Sequence, residues 1–151
     1  MKRIIFIIGL MAGTTLSIYA QELDSERMEK LKAYRVSYIT NKVNLTSEEA
    51  QKFWPLFNEL TDEIEILKKE RLEYMRDVRK KGLDNLSEEE LKEVIEKNFE
   101  WEQSELDVKK KYDKEFQKVL PIRKVALYYR AEKEFKKDLL ERLGRGRDGR
   151  R

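Results

Sequence analysis

Leu45-Thr46-Ser47-Glu48-Glu49-Ala50-Gln51-Lys52-Phe53-Trp54-Pro55-Leu56-Phe57 holds a helix start and, just inside it, four large apolar side chains. Thr46 and Glu49 have the spacing of a capping box. The Thr hydroxyl can accept from a free N–H of the first turn, and the Glu carboxylate can reach back to the cap N–H. A helix therefore begins at Ser47, and its first turns carry Phe53, Trp54, Leu56 and Phe57.

Working outward, the pattern predicts an all-α chain of four amphipathic helices. The first covers about Ser25 to Lys42, with Met28, Leu31, Tyr34, Tyr38 and Ile39 at helical spacing. Asn44 and Leu45 make a short connection. The second runs from Ser47 to about Lys81, with Phe53, Phe57, Leu60, Ile64, Leu67, Tyr74 and Val78 nearly in heptads. Pro55 lies inside it and predicts a kink between Thr46 and Trp54. Gly82 ends this helix after the basic turn Arg79-Lys80-Lys81. Ser87 and Glu90 form a second capping box. The third helix that follows carries Leu91, Ile95, Phe99, Leu106, Tyr112, Phe116 and Leu120. Pro121 is read as the first residue of the fourth helix, where its missing donor costs nothing. That helix holds Val125, Tyr128, Tyr129, Phe135, Leu139 and Leu143, and Gly144 is expected to end it.

At the amino end, Met1-Lys2-Arg3 precedes an apolar run from Ile4 to Leu16, and Ala20 precedes polar Gln21. This is the layout of a cleaved signal peptide over residues 1–20. The run is shorter than the roughly 20 apolar residues of a spanning helix, so no stable membrane insertion is expected after cleavage. Residues 21–144 then form one helical domain, and 145–151 a basic, disordered tail. The chain has 33 basic and 30 acidic residues, and charged residues make up 42% of it. There is no cysteine and no histidine. Thiolate and imidazole chemistry is excluded, along with the usual zinc sites. No pair of acids stands out as a catalytic centre, so the expectation is no enzyme, no cofactor and no metal site.

Leu45-Thr46-x-x-Glu49 resembles the Leu-Thr-x-x-Gln signature of the Spy/CpxP family of periplasmic stress proteins. The layout is similar too: a signal peptide, long amphipathic helices and a late boundary at Val119-Leu120-Pro121. Glu49 stands where the signature has Gln, and Pro121 where it has a second Thr. Lys42-Val43-Asn44-Leu45-Thr46 and Phe53-Trp54-Pro55 are similar to a branch labelled as a sensor of extracytoplasmic-function sigma factors, or as a heavy-metal sensor. A chain without His or Cys offers no soft-metal ligand. The resemblance implies an elongated, curved helical hairpin or cradle, often a homodimer, in the periplasm of a Gram-negative bacterium. It also implies ATP-independent capture of unfolded chains, or action on an envelope stress sensor.

Two segments hold more apolar surface than a single buried stripe requires: Phe53-Trp54-Leu56-Phe57, and Val125-Ala126-Leu127-Tyr128-Tyr129. They are read either as core with a dimer contact or as a surface for a client. Phe53, Trp54, Phe57, Trp101, Tyr128 and Tyr129 are the candidate binding residues, with Arg123, Lys124 and Arg130 as a basic rim. Leu45, Thr46, Glu49, Ser87 and Glu90 are the cap motifs. The functional expectation is a holdase-like chaperone of the envelope stress response, whose partners are unfolded or partly folded envelope proteins. The alternative is a regulatory module that docks on a membrane-bound stress sensor or a sigma/anti-sigma system. Export makes nucleic acid an unexpected partner.

Overall fold

The computed structural model describes the backbone of residues 26–148 and the side chains of 26–142. The signal-peptide reading over 1–20 lies outside the described residues, as do residues 149–151. Among the described residues every long element is an α-helix: α1 over 26–43, α2 from Ser47 to Lys81, α3 from Glu88 to Val119 and α4 from Ile122 to Asp148. One turn of 3-10 helix, Leu83–Asn85, lies between α2 and α3.

The caps set these boundaries. Thr46 Oγ1 accepts from the Glu49 N–H at 3.2 Å, and Glu49 Oε2 accepts from the Thr46 N–H at 2.8 Å. Ser87 and Glu90 repeat the arrangement at 3.2 and 2.9 Å. In each case two of the four orphan donors of the first turn are satisfied reciprocally. Between α1 and α2, Asn44 takes φ 53°, a left-handed conformation that Asn tolerates better than most residues. After α2, Gly82 takes φ 80° and its N–H donates to the Val78 carbonyl. A Cβ there would be strained by φ alone, so glycine is required.

Two boundary expectations, both in α4, need revision. Helix α2 itself runs through Pro55 as one helix. Proline removes one hydrogen bond, but Pro55 and Gln51, whose carbonyl loses its partner, are both exposed, so water can serve that carbonyl. Pro121 is the cap of α4 rather than its first residue. Its carbonyl accepts from the N–H groups of Lys124 and Val125, and helical geometry starts at Ile122. Helix α4 also continues past Gly144 to Asp148. A glycine costs a helix only about 1 kcal/mol relative to alanine, which need not end it.

The chain divides into two compact units, one from Asn44 to Tyr129 and one combining the chain up to Val43 with the chain from Arg130. In the first, α2 and α3 form an antiparallel hairpin. Lys81 meets Glu90 near the turn, Arg71 Nη2 donates to Asn98 Oδ1 at 2.5 Å, and Lys111 meets Glu63 farther along. The α2 positions facing the seam are the heptad expected from the sequence. On α3 they are Leu91, Val94, Asn98, Trp101, Glu105, Val108, Tyr112 and Phe116, all at least half-buried. Residues 122–129 of α4 close the open end of this hairpin with Val125 and Tyr128, both buried.

In the second unit, α1 packs on the later part of α4. Phe135 is buried, with Tyr34 and Tyr38 at ring-centroid distances of 5.5 and 5.6 Å. Arg35 makes a two-pronged ion pair to Glu132 at 2.9 and 2.7 Å, and Glu132 is a buried carboxylate. Tyr34 donates to Asp138 at 2.8 Å, and Arg142 in turn reaches the Tyr34 oxygen.

Magnitudes rank these contributions. Fully burying one Phe is worth roughly 1.5–3 kcal/mol, whereas exposed pairs such as Glu48–Lys52 and Glu26–Lys30 add little, because water and salt screen them. The fold is held by its rings, and the many surface charges keep the rods soluble. Phe116→Ala should therefore cost about 3–5 kcal/mol, while Leu72→Ala, at 65% exposure, should stay within about 0.5 kcal/mol of wild type. Urea unfolding followed by far-ultraviolet circular dichroism measures both; equal effects would contradict this ranking.

Candidate functional site

The residues expected to face a client fall into three places. Phe53, Phe57 and Tyr128 are interior. Phe53 has no exposed surface, and its ring lies 4.9 Å from Phe116, 5.3 Å from Tyr128 and 5.9 Å from Phe57. The contacts are tilted or edge-on, the arrangement favoured by ring quadrupoles. These three side chains form the core of the first unit and are closed to a client, contrary to the reading of them as a capture patch. Trp54 sits half-buried at the margin, edge-on to Phe53 and Phe57 at 5.2 and 5.1 Å. Tyr129 is 43% exposed, and its hydroxyl donates to Asp113 Oδ1 at 3.0 Å. Burial and that carboxylate both push its ionisation up.

Trp101 lies elsewhere, nearer the turn. It packs edge-on to Tyr74 at 5.2 Å and belongs to the α2–α3 seam. The sequence pattern puts Leu91, Ile95 and Phe99 in the apolar stripe of α3 and Trp101 among the candidate binding residues. The structure reverses this for two of the three: Trp101 is inside, and Ile95 and Phe99 are outside at 56% and 64% exposure. Helix α3 carries two apolar stripes, and the one with heptad spacing that matches α2 is the one that packs.

The expected basic rim also separates. Lys124 Nζ donates to Glu49 Oε2 at 2.5 Å and to the Asn44 carbonyl at 2.7 Å. It clamps the α2 capping box to the start of α4, so it is a structural fastener. Arg123 is exposed, and Arg130, in the other unit, pairs with Glu134 four residues on. The Glu49 carboxylate is what makes the clamp ionic. Its pKa is lowered, first by Lys124 and then by the Thr46 N–H.

A second polar cluster spans α2 and α3. The hydroxyl of buried Tyr112 donates to Glu63 Oε1 at 2.7 Å, and Lys111 donates to the same oxygen at 2.6 Å. Lys111 and Tyr112 hold the Glu63 carboxyl below its usual range, while burial and Glu63 raise Tyr112. Every member has a partner, which marks the cluster as structural. Among the described residues there is no group of three or more potential metal ligands, and no helix is long and apolar enough to cross a membrane.

What the structure leaves open is the outer face of α3. Ile95, Phe99 and Leu106, the last 44% exposed, fall with Glu102 within about 60° of arc. A shallow, open depression runs along this face between Phe99 and Leu106, edged by Glu100, Glu102 and Gln103. Elsewhere in this unit Ile66 and Leu72 stand on different faces of α2, and Ile122 and Tyr129 share an exposed face of α4. The chain matches no family model, no curated protein and no solved structure.

The clamp gives a pH test. Glu49 has a folded pKa below its ordinary 4.5. Its stabilisation is fully present above the unfolded value and is lost as pH falls through the folded one. Glu49→Gln should therefore destabilise at pH 7 by about 1 kcal/mol, and the difference from wild type should close as pH falls below about 4. Denaturant melts at pH 7 and pH 3 read it, and a difference that persists at pH 3 would argue against the ionic clamp.

Proposed function

We propose that this chain is an exported, ATP-independent polypeptide-binding protein of the bacterial envelope, acting as a holdase on unfolded or partly folded chains. The observation that carries this reading is the Ile95–Phe99–Leu106 stripe. Three large apolar side chains recur on one face of a well-capped helix, while Phe53, Phe57, Phe116 and Tyr128 of the same unit are packed away. Leaving Phe99 in water forgoes much of the roughly 1.5–3 kcal/mol that burial would give. A partner that covers the stripe recovers this. Capture by partial apolar burial needs no covalent step and no nucleotide, and release follows when a client buries its own apolar side chains. The basic, apolar leader read from Met1 to Ala20 supports export, and the Leu-Thr-x-x-Glu start supports the likeness to envelope stress proteins.

A second reading is regulatory docking on one envelope-stress partner. The small size of the stripe favours it, since three side chains spaced over about three turns are the footprint of a single helix. A holdase suppresses aggregation of many denatured proteins, whereas a regulator retains one partner.

The test is light scattering of a chemically denatured model protein diluted into buffer with the purified chain at near-equimolar ratio. Suppression is expected, and Phe99→Ser should weaken it about tenfold in the concentration required. Trp101→Phe, which keeps the seam filled, should leave it unchanged. Undiminished suppression by Phe99→Ser, with helicity intact, would remove the stripe from the mechanism.

A further inference from the structure

The outer face of α3 carries charge as well as apolar surface. From Glu93 to Asp107 the sequence holds six carboxylates and one lysine, Lys97. Two carboxylates are answered locally: Glu100 by Lys97 at 2.7 Å and Glu105 by Lys109 at 2.5 Å. Glu102 accepts from the Asn98 amide at 3.3 Å and Asp107 from the Gln103 amide at 2.9 Å. Neutral amides orient these carboxylates without cancelling their charge. Glu102 stands in line between Phe99 and Leu106, and Glu96 and Asp107 stand about 100° round the helix to one side of the stripe. The middle of the stripe is thus bordered by carboxylates, while Lys92 lies one turn before Ile95 and Lys109 and Lys110 lie one turn after Leu106.

We propose that this face docks a cationic amphipathic segment of a partner polypeptide. Its apolar side chains would cover Ile95, Phe99 and Leu106, and its Lys or Arg residues would meet Glu96, Glu102 and Asp107. The proposal rests on the polypeptide-binding reading above and adds the chemistry of what is bound. Charge selects among the possible occupants. An acidic segment or an anionic lipid surface brings like charge against these carboxylates, and each close pair at about 4 Å costs about fivefold in affinity even in water. A second copy of this chain brings the same carboxylates against themselves. A basic segment gains on both counts and is steered in from a distance set by the roughly 8 Å screening length at physiological salt.

Two synthetic peptides of equal length and identical helical pattern test this, one of Leu and Lys, the other of Leu and Glu, titrated calorimetrically into the purified protein. At about 0.15 M salt the Leu/Lys peptide should bind about tenfold tighter or more, and its advantage should shrink at about 1 M. Phe99→Ser should weaken it about tenfold. The double variant Glu96→Lys, Glu102→Lys should abolish the preference between the peptides while circular dichroism stays unchanged. Equal binding of both peptides would overturn the charge selectivity and leave the holdase reading standing. Binding of neither, alongside intact aggregation suppression, would place the docking face elsewhere and overturn the proposal. A preference that survives both sets of substitutions would do the same. So would sedimentation showing a wild-type dimer that Phe99→Ser converts to monomer, since a second copy would then occupy the stripe.

Discussion

The ring of Phe53 is where three helices of the first unit meet. It belongs to α2, it contacts Phe116 of α3 and Tyr128 of α4, and no part of it reaches solvent. Long, highly charged helices do not associate through surface ion pairs worth a fraction of a kilocalorie each. They need a place where apolar area is removed from water on several sides at once. Phe53 supplies it, two turns after the capping box that starts its helix. The cap sets where α2 begins, and the beginning of α2 sets where Phe53 falls. Lys124 ties the same cap to α4. Local capping and the aromatic junction are thus two parts of one constraint.

That constraint reassigns the aromatic residues. An excess of rings invites the idea of a capture surface, but here most of the excess is consumed where a third helix lies over a two-helix hairpin. The apolar surface that stays exposed on α3 is poorer in rings and richer in carboxylates. It lies on α3, away from the junction, where no helix of the same unit covers it. Position decides which apolar residue is buried: Phe53 and Phe99 are the same side chain, and they differ in whether a neighbouring helix is in register to cover them.

Much of the fold could be read from residue types. Both capping boxes, the span of α2, the stop at Gly82 and the proline boundary before α4 follow from local chemistry, and the structure agrees to within a residue at most of these points. The outer face of α3 was less legible for a physical reason. Two apolar stripes run along that helix, and periodicity by itself does not say which one packs. The distinguishing signal is agreement with the heptad of α2, which runs Phe53, Phe57, Leu60, Ile64, Leu67, Arg71, Tyr74 and Val78. The matching heptad on α3 includes Asn98 and Glu105, polar residues that disguise it, while Ile95 and Phe99 look like natural core. The role of Lys124 was hidden for a different reason. Its partners, Glu49 and Asn44, lie far away in sequence, and no local rule joins them.

The hydrogen bond between Arg71 and Asn98 has a consequence for how such a chain can change over generations. These two side chains share one layer of an otherwise largely oily seam, and the Asn98 amide also donates to Glu102. Inserting one codon in either rod would slide Arg71 past Asn98 and rotate the greasy side of that rod toward solvent. Only gains or losses of about seven residues, made in both rods on the same side of this layer, preserve the match. The length of the hairpin is therefore quantised, and descendants of this gene would vary freely in surface charge while their rods lengthen or shorten only in paired steps.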